Sequence, residues 1–192
     1  DGVDEDKTMA FEWYQKSAKQ SHIDAQNNLG ICYEHGYGTG TDSKKAVDWY
    51  QKAAEQGHTN AQINLAVCYA HGEGIKEDQN KAFMWFKKAA EQGHVNAQNQ
   101  LGICYEYGEG IKEDKNEAFK WYKKAAEQGD ADAQHNIGTC YLFGKGIKSD
   151  EFQAFRWYQK AAEQGNADAQ NNLAVCYECG AGIKVDKSKA LE

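Results

Sequence analysis

The sequence predicts an all-α fold, an α/α superhelical solenoid of five antiparallel helix pairs followed by a C-terminal stub. Three observations predict it: the chain of 192 residues repeats itself, apolar residues recur at helical spacing within each repeat, and Asp, Asn and Gly stand where helices would begin and end. All five tryptophans are separated by 36 residues: Trp13, Trp49, Trp85, Trp121 and Trp157. A fixed period of this size indicates stacked units, none of which can bury its apolar face alone.

One helix of each pair is predicted over about residues 44–56 in the second repeat. Its apolar residues fall on one stripe, which we expect to pack in the core, tryptophan included: Ala46, Trp49, Tyr50, Ala53 and Ala54. An aspartate precedes this helix in every repeat and predicts an N-cap: Asp42, Asp78, Asp114, Asp150 and Asp186. Gly57 follows the helix and predicts its end.

The other helix is predicted over about residues 25–35 of the first repeat. An Asp or Asn precedes it in every repeat, which again predicts an N-cap: Asp24, Asn60, Asn96, Asp132 and Asp168. Its buried face is expected to contain Ala25, Leu29, Cys32 and Tyr33. Glycines within this helix, at Gly30 and Gly102, predict a close approach of two helices, because glycine there otherwise costs about 1 kcal/mol.

These helices form one predicted array over residues 1–192, with no sustained alternation that would indicate a strand. The repeat units are placed at about residues 1–36, 37–72, 73–108, 109–144 and 145–180, followed by a stub at 181–192. Both ends interrupt the pattern, so we expect a fragment of a longer array or multi-domain protein, and Leu191-Glu192 could be a cloning scar.

The repeated motif is most complete in residues 97–129, which read Ala-Gln-x-Gln-Leu-Gly-x-Cys-Tyr, then Gly-x-Gly-Ile-Lys-x-Asp, then Ala-Phe-x-Trp-Tyr-x-Lys-Ala-Ala-Glu-Gln-Gly. This motif resembles the Sel-1-like repeat family, a relative of the tetratricopeptide repeat with a slightly longer unit. The resemblance covers the whole chain and recurs five times. It implies an α/α solenoid that acts as an adaptor in protein–protein complexes.

Composition excludes several classes of function. The formal net charge is −7, with 29 acidic against 22 basic residues, which argues against a nucleic-acid binder. No apolar run approaches the ~18 residues of a membrane helix, and no secretory segment opens the chain. We therefore expect neither nucleic acid nor membrane as a partner, and a monomer is expected.

Five of the six cysteines recur with the repeat, on the buried face of their helix: Cys32, Cys68, Cys104, Cys140 and Cys176. Adjacent equivalents should lie ~10 Å apart, beyond disulfide reach, so they are interpreted as buried thiols. Unpaired thiols favour a reducing compartment, hence the cytoplasm. The cysteine-rich branch of the resembled family places a second cysteine in each repeat, and only Cys179 matches it here.

No catalytic site, metal site or cofactor is predicted. Histidines recur in two loops, His22, His58 and His94 in one and His35 and His71 in the other, but a full repeat separates neighbours and no carboxylate or thiol stands at ligand spacing. The Gly-x-Gly pairs follow helices rather than strands, which fails the context of a dinucleotide loop. A hydrolase of the cysteine-rich kind has no supporting acid–base or nucleophile pair.

The predicted partner site is the face of the second helix opposite its core, which by resemblance to tetratricopeptide arrays lines a concave groove. One position there is an amide in every repeat: Asn28, Asn64, Gln100, Asn136 and Asn172. The most variable position reads His35, His71, Tyr107, Phe143 and Cys179. Two more positions contribute Ile63 and His135, and Glu34, Glu106 and Glu178.

We expect this groove to bind a protein or peptide segment, with the amides bonding its backbone and the aromatic residues anchoring it. The glutamates and the absence of Lys and Arg predict a partner that is neutral to basic, with an apolar anchor near its middle. One alternative is that the amides bond to neighbouring helices and the glutamates are solvated. A second is that the array is a structural or regulatory arm of a larger protein whose activity lies elsewhere.

Overall fold

The computed structural model describes residues 2–186 and 188. Within them it contains ten helices and no strand, which confirms the predicted helix pairs. The helices are α1 (Gly2–Lys19), α2 (Ile23–His35), α3 (Ser43–Glu55), α4 (Thr59–His71), α5 (Gln79–Glu91), α6 (Val95–Tyr107), α7 (Lys115–Glu127), α8 (Ala131–Phe143), α9 (Glu151–Glu163) and α10 (Ala167–Cys179). No helix among the described residues is long and apolar enough to cross a membrane.

The chain forms two compact units, Asp1–His94 and Val95–Glu192. In the first unit, each helix from α1 to α5 packs against the next one in sequence. In the second unit, the same holds from α6 to α10. We call α3, α5, α7 and α9 the odd helices, and α2, α4, α6, α8 and α10 the even helices.

The odd helices begin where the aspartates predicted. Asp42, Asp78 and Asp150 each accept a hydrogen bond from the backbone N–H three residues later, and Asp114 accepts from the N–H groups two and three residues later. The backbone N–H of each of these aspartates in turn donates to a tyrosine carbonyl nine residues earlier, as from Asp42 to Tyr33 at 2.8 Å. The cap therefore also fixes the loop that joins an even helix to the next odd helix.

The even helices begin earlier than predicted, and the expected N-caps at Asp24, Asn60, Asn96, Asp132 and Asp168 are wrong. These residues lie one position inside the helix, and the N-cap is two positions earlier in the four helices with a described cap: His22, His58, Asp130 and Asn166. His58 caps through Nδ1, which accepts from Ala61 N at 3.1 Å. Histidine is not a preferred cap, and the Asp or Asn two positions later recurs in all five repeats, so the sequence pattern pointed to the wrong residue.

The core of each unit is centred on one tyrosine or phenylalanine per odd helix. Tyr50 is buried in the first unit and Tyr122 in the second. Each ring lies over a glycine of the preceding even helix: a Cβ added to Gly30 would stand 2.5 Å from Tyr50 Cε1, and one added to Gly102 the same distance from Tyr122 Cδ1. The close approach predicted from these glycines is therefore confirmed.

The tryptophans, by contrast, lie at the edge of the core, so their expected burial was wrong, although Trp157 packs against the buried cluster of α7 and α8. Trp13 is exposed, and the other four are half-buried. A lysine three residues later lies over each of these rings, with Nζ 4.0 Å from the ring centroid at Trp49 and 3.8 Å at Trp121. The buried stripe of an odd helix is narrower than its composition indicates. Tyrosine fills the contact with the neighbouring even helix, and tryptophan lies at the edge of that contact.

The five recurring cysteines are buried free thiols, as expected, and Cys179 is exposed. Burial raises the pKa of each of the five. For Cys68, Cys104 and Cys140 it rises to about 12. The thiolate, which is the reactive form, is therefore scarce at these positions near neutral pH.

We predict that a thiol reagent will modify one cysteine of the native chain, Cys179, at about pH 8. All six of the cysteines should react once the chain is unfolded in denaturant. The measurement is absorbance after addition of a chromogenic disulfide, with Cys179→Ser as the control that removes the rapid phase. Rapid reaction of two or more thiols in the native chain would contradict the burial described.

A second prediction concerns His94, whose Nδ1 is buried and has no hydrogen-bond partner within residues 2–186 and 188. Burial lowers its pKa below the ordinary 6.5. The unfolded chain therefore binds more protons below about pH 6.5, and stability falls as the pH decreases through that value until the folded-state pKa is reached.

Replacing this histidine as in His94→Asn should remove that loss, because Asn166 occupies the equivalent position and accepts from Ala169 N at 2.8 Å. Urea unfolding midpoints at about pH 7.5 and pH 5.5 measure it, and the variant should lose less stability between them than the unsubstituted chain. Equal losses in the two proteins would refute the assignment to His94.

Candidate partner-binding face

The predicted site residues lie on the even helices, and the structure divides them into an exposed centre and two covered edges. In the second unit the exposed centre contains Gln100, Tyr107 and Phe143. In the first unit, His35 and His71 are exposed, while Asn28, Asn64 and Ile63 are half-buried. We call the exposed centre of α6, α8 and α10 the even-helix face of the second unit.

Most of the amides that recur from repeat to repeat form hydrogen bonds between consecutive repeats. Asn64 Nδ2 donates to Asn27 Oδ1 at 3.3 Å, and Asn136 Nδ2 donates to Asn99 Oδ1 at 3.0 Å. The acceptors Asn27 and Asn99 are only 4% and 6% exposed. This is the arrangement that the first alternative described, and direct contact of these amides with a partner stays a prediction.

The last amide follows the same pattern with a different acceptor. Asn172 Nδ2 lies 3.0 Å from His135 Nε2, so the half-buried His135 takes the place that Asn99 has one repeat earlier. The ring of His135 also lies beside that of Tyr158, with centroids 5.8 Å apart. Gln100 differs from the other four amides, because it is exposed.

The glutamates at the other edge are hydrogen-bonded to buried tyrosines. Tyr50 Oη donates to Glu34, and Tyr122 Oη donates to Glu106 Oε2 at 2.7 Å. Glu106 also accepts from Lys145 Nζ at 2.6 Å, and its side chain is only 10% exposed. The hydrogen bond to Glu106 raises the pKa of Lys145. Glu34 and Glu106 are therefore engaged within the fold, whereas Glu178 is exposed.

The repeats that lack this glutamate also change its partner. Where Ala70 replaces the glutamate, the following odd helix carries Phe86, which has no hydroxyl. Where Leu142 replaces it, Tyr158 Oη lies 3.1 Å from Thr139 Oγ1 instead. Sequence reasoning missed Thr139, although it is the only polar residue at a position that is otherwise Ile or Val: Ile31, Val67, Ile103 and Val175.

The most exposed apolar side chains on the face of the second unit are two of the predicted anchors. Tyr107 ends α6 and Phe143 ends α8, at equivalent positions of consecutive repeats, and each is 67% exposed. Leu142 is half-buried beside Phe143, whereas Val175 on α10 stands at the position where Thr139, one repeat earlier, faces the following odd helix. Large aromatic side chains with this exposure are a common feature of binding surfaces.

Charge on the even helices has one sign. No even helix contains Lys or Arg, whereas each odd helix contains at least two. In the second unit the exposed charges of the even helices are Asp132, Asp168 and Glu178. Within the described residues, no group of three or more His, Cys, Asp and Glu side chains is placed to hold a metal ion.

Helix pairs repeated every 36 residues define an all-α helical solenoid built from short structural repeats. The family model for the Sel1 repeat matches residues 1–22, 23–58, 59–94, 95–130, 131–166 and 167–192. The chain therefore belongs to the Sel1 repeat family. The model places each full unit from one even helix to the residue before the next, which is the predicted 36-residue period in a different frame.

Solved structures with the same fold include other Sel1 repeat proteins. A protective antigen of uropathogenic Escherichia coli strains, which displays an SLR fold, is 40% identical with a TM-score of 0.91; the match covers 94% of this chain and 38% of that one. A Sel1 repeat protein from Oxalobacter formigenes is 37% identical with a TM-score of 0.86, over 96% of this chain and 74% of that one.

Helicobacter pylori cysteine rich protein B is less similar, at 31% identity and a TM-score of 0.53, over 67% of this chain and 92% of that one. No curated protein sequence matches the chain. The chain spans 38% of the length of the E. coli antigen. Sel1 repeat proteins are generally non-catalytic scaffolds that bind other proteins.

The connection between repeats gives a third prediction, for Asn136→Ala. This change leaves the buried Asn99 Oδ1 without its donor and should destabilise the chain by about 1–3 kcal/mol. Gln100→Ala is the matched control, since this amide is exposed and its removal should cost less than about 0.5 kcal/mol. Urea unfolding followed by circular dichroism measures both, and equal effects would contradict a structural role for Asn136.

Proposed function

We propose that this chain is a non-catalytic adaptor that binds a segment of another protein on the even-helix face of the second unit. The observation that carries the proposal is the pair of exposed aromatic side chains, Tyr107 and Phe143, at equivalent positions in consecutive repeats. A soluble repeat gains nothing in stability from exposing such rings, whereas aromatic residues often supply much of the affinity of protein interfaces.

The neighbouring groups define the chemistry of the partner. Leu142 is half-buried beside Phe143 and adds apolar surface, and the nearby Lys145 ammonium is bonded to Glu106. With no Lys or Arg on the even helices, the face should attract a segment that is neutral to basic and carries apolar anchors. Its free thiols fit a reducing compartment, so we place this binding in the cytoplasm, by a monomeric chain.

The glutamates and amides that bond within the fold are assigned a structural role in this proposal, whereas the sequence suggested that they contact the partner. Glu106 holds Tyr122 and Lys145, and Asn136 holds Asn99, so these residues keep neighbouring helices in register. They support the face on which a partner binds. The contacts that select the partner are assigned to Tyr107 and Phe143.

Selection from a random peptide library displayed on phage, with the full chain as bait, tests this function. The double variant Tyr107→Ser, Phe143→Ser should lose at least about tenfold in affinity for the selected peptides, since each ring is an anchor of the interface. Fluorescence anisotropy with synthetic peptides measures the affinity. Phe152→Ser is the matched control, because Phe152 is 56% exposed but lies on α9.

The selected peptides should also contain more Lys and Arg than Asp and Glu, and their affinity should decrease with added salt. Peptides that bind the double variant as tightly as the unsubstituted chain would refute the assignment of this face. That result would favour the second function, a structural or regulatory arm of a larger protein.

A further inference from the structure

We propose that Glu34 and Glu73, in the first unit, form a binding site for the side-chain ammonium of a lysine that belongs to a partner protein. The site consists of other residues than the even-helix face of the second unit, and its existence does not depend on the function proposed for that face. The basis is an equivalent site in the second unit, which the chain fills with its own Lys145.

The site in the second unit shows how an ammonium is held. Glu106 accepts from Tyr122 Oη through Oε2 at 2.7 Å, and from Lys145 Nζ through Oε1 at 2.6 Å. Lys145 lies in the loop after α8, so one repeat supplies the carboxylate and the next supplies the ammonium. The carboxylate of the largely buried Glu106 is thus paired with an opposite charge, which offsets the cost of removing it from water.

The first unit has the same carboxylate and tyrosine but not the lysine. Glu34 accepts from Tyr50 Oη through Oε2. In the part of the chain that the structure describes, no hydrogen bond reaches the other oxygen, Oε1, which corresponds to the oxygen that holds Lys145. Glu73 stands at the position that Lys145 has two repeats later, so a second carboxylate replaces the ammonium.

The loops that carry Glu73 and Lys145 have the same backbone conformation. The glycines on either side of each residue have φ between 68° and 73°. The backbone N–H of each residue donates to the carbonyl of the preceding buried cysteine, at 3.1 Å for Glu73 and 2.9 Å for Lys145. The second glycine of each loop lies against the first residue of an odd helix, Ser43 or Lys115. The two side chains therefore start from equivalent places.

The cysteines beside the two sites show the difference in charge. Burial is the main cause of the raised pKa of both Cys68 and Cys140. The charges of Glu34 and Glu73 both raise the pKa of Cys68 further. At Cys140, the equivalent carboxylate raises the pKa and the ammonium of Lys145 lowers it. The first unit therefore has two negative charges where the second has one of each sign, which favours a cation there.

The groups around the two carboxylates leave the site accessible. Glu73 is exposed and has no hydrogen bond or ion pair with any other described residue. His35 Nε2 lies 3.9 Å from Glu34 Oε2, which is too far for a hydrogen bond, so it does not replace the lysine. Because a glutamate side chain is one atom shorter than a lysine, Glu73 cannot extend as far toward Glu34 as Lys145 extends toward its partner. Room therefore remains for an ammonium.

The second unit also indicates the class of cation. The Lys145 side chain is 32% exposed, so its ammonium approaches the carboxylate from the protein surface, as a lysine of another protein would. An ammonium donates three hydrogen bonds, which suits Oε1 of Glu34 and the carboxylate of Glu73. A calcium or magnesium ion needs about six oxygen ligands, more than these groups supply.

The test is an NMR titration of the full chain, labelled with ¹⁵N, with a short peptide that has one lysine among glycine and serine residues. The amide signals of Glu34 and Glu73 should shift and saturate. The same peptide with Nε-acetyl-lysine should bind at least about tenfold more weakly, because it lacks the charge of the ammonium. Equal affinity for the two peptides would overturn the proposal.

The substitution Glu73→Lys should abolish this binding, because the introduced side chain can fill the site as Lys145 fills its own. Glu109→Lys is the matched control. It makes the same change of charge at the same loop position, but in the repeat where Ala70 replaces the bonded glutamate, so it should bind the peptide as the unsubstituted chain does. Binding that survives Glu73→Lys, or that both substitutions abolish, would refute the site.

The reciprocal substitution, Lys145→Glu, should open the second-unit site, so that the peptide also shifts the amide signal of Glu106. The first unit shows that the fold accommodates two carboxylates at these positions. Calcium or magnesium chloride that shifts the Glu34 and Glu73 signals at lower concentration than the peptide would assign a metal site, and sodium chloride that reproduces the shifts would assign charge screening. Either result overturns the lysine site and leaves the function proposed for the second unit untouched.

Discussion

The contact between a buried aromatic ring and a glycine of the preceding helix is the constraint on which the rest of the structure depends. In the second unit, Tyr122 lies over Gly102 and Tyr158 lies over Gly138, with the rings so close that a Cβ could not fit without displacement. This contact brings the tyrosine hydroxyl through to the side chains of the even helix. Glu106 and Thr139 are needed there because a buried hydroxyl without a partner would be costly.

The same contact explains why the adjacent tryptophans stay at the edge. Tyr122 is the next residue after Trp121, and on a helix successive side chains point about 100° apart, so both cannot enter one helix contact. Trp121 is half-buried and lies under Lys124, which shields part of the ring from water. The tryptophan that made the repeat easiest to find is therefore less buried than the tyrosine beside it.

The sequence was sufficient to predict the helix pairs, the repeat length, the aspartate caps of the odd helices and the buried thiols, because these depend on contacts within one repeat. The caps of the even helices were missed because an Asp or Asn two positions later recurs in every repeat, whereas the actual cap varies between His58, which acts through a ring nitrogen, and Asp130 or Asn166. The role of the amides was left open between partner binding and bonds to neighbouring helices. Asn136 bonds to Asn99, 37 residues earlier, and the one-residue offset from the period depends on how the helices pack.

The sequence was sufficient to locate the candidate face, but not to tell which of its residues are exposed and which bond to other parts of the chain. Tyr107 and Phe143 are exposed, as their variable position indicated, because the described residues of the second unit leave both rings uncovered at the ends of α6 and α8. The glutamate and amide positions appeared equally available from the helical projection. In the structure, Glu106 is covered because the odd helix that follows it carries a tyrosine, and a helical wheel of one helix does not include that neighbour.

The glutamate–tyrosine and the asparagine–asparagine hydrogen bonds would respond differently if the 36-residue repeats, here called modules, were rearranged. Glu34 and Tyr50 both lie within the matched unit 23–58, so a duplicated or transplanted module carries both partners with it. Asn64 and Asn27 belong to different units, so a new junction of this kind must supply a donor and an acceptor that match. Modules of this array are therefore interchangeable in their interiors but not at their borders, and a designer who shuffles them must choose neighbours as well as modules.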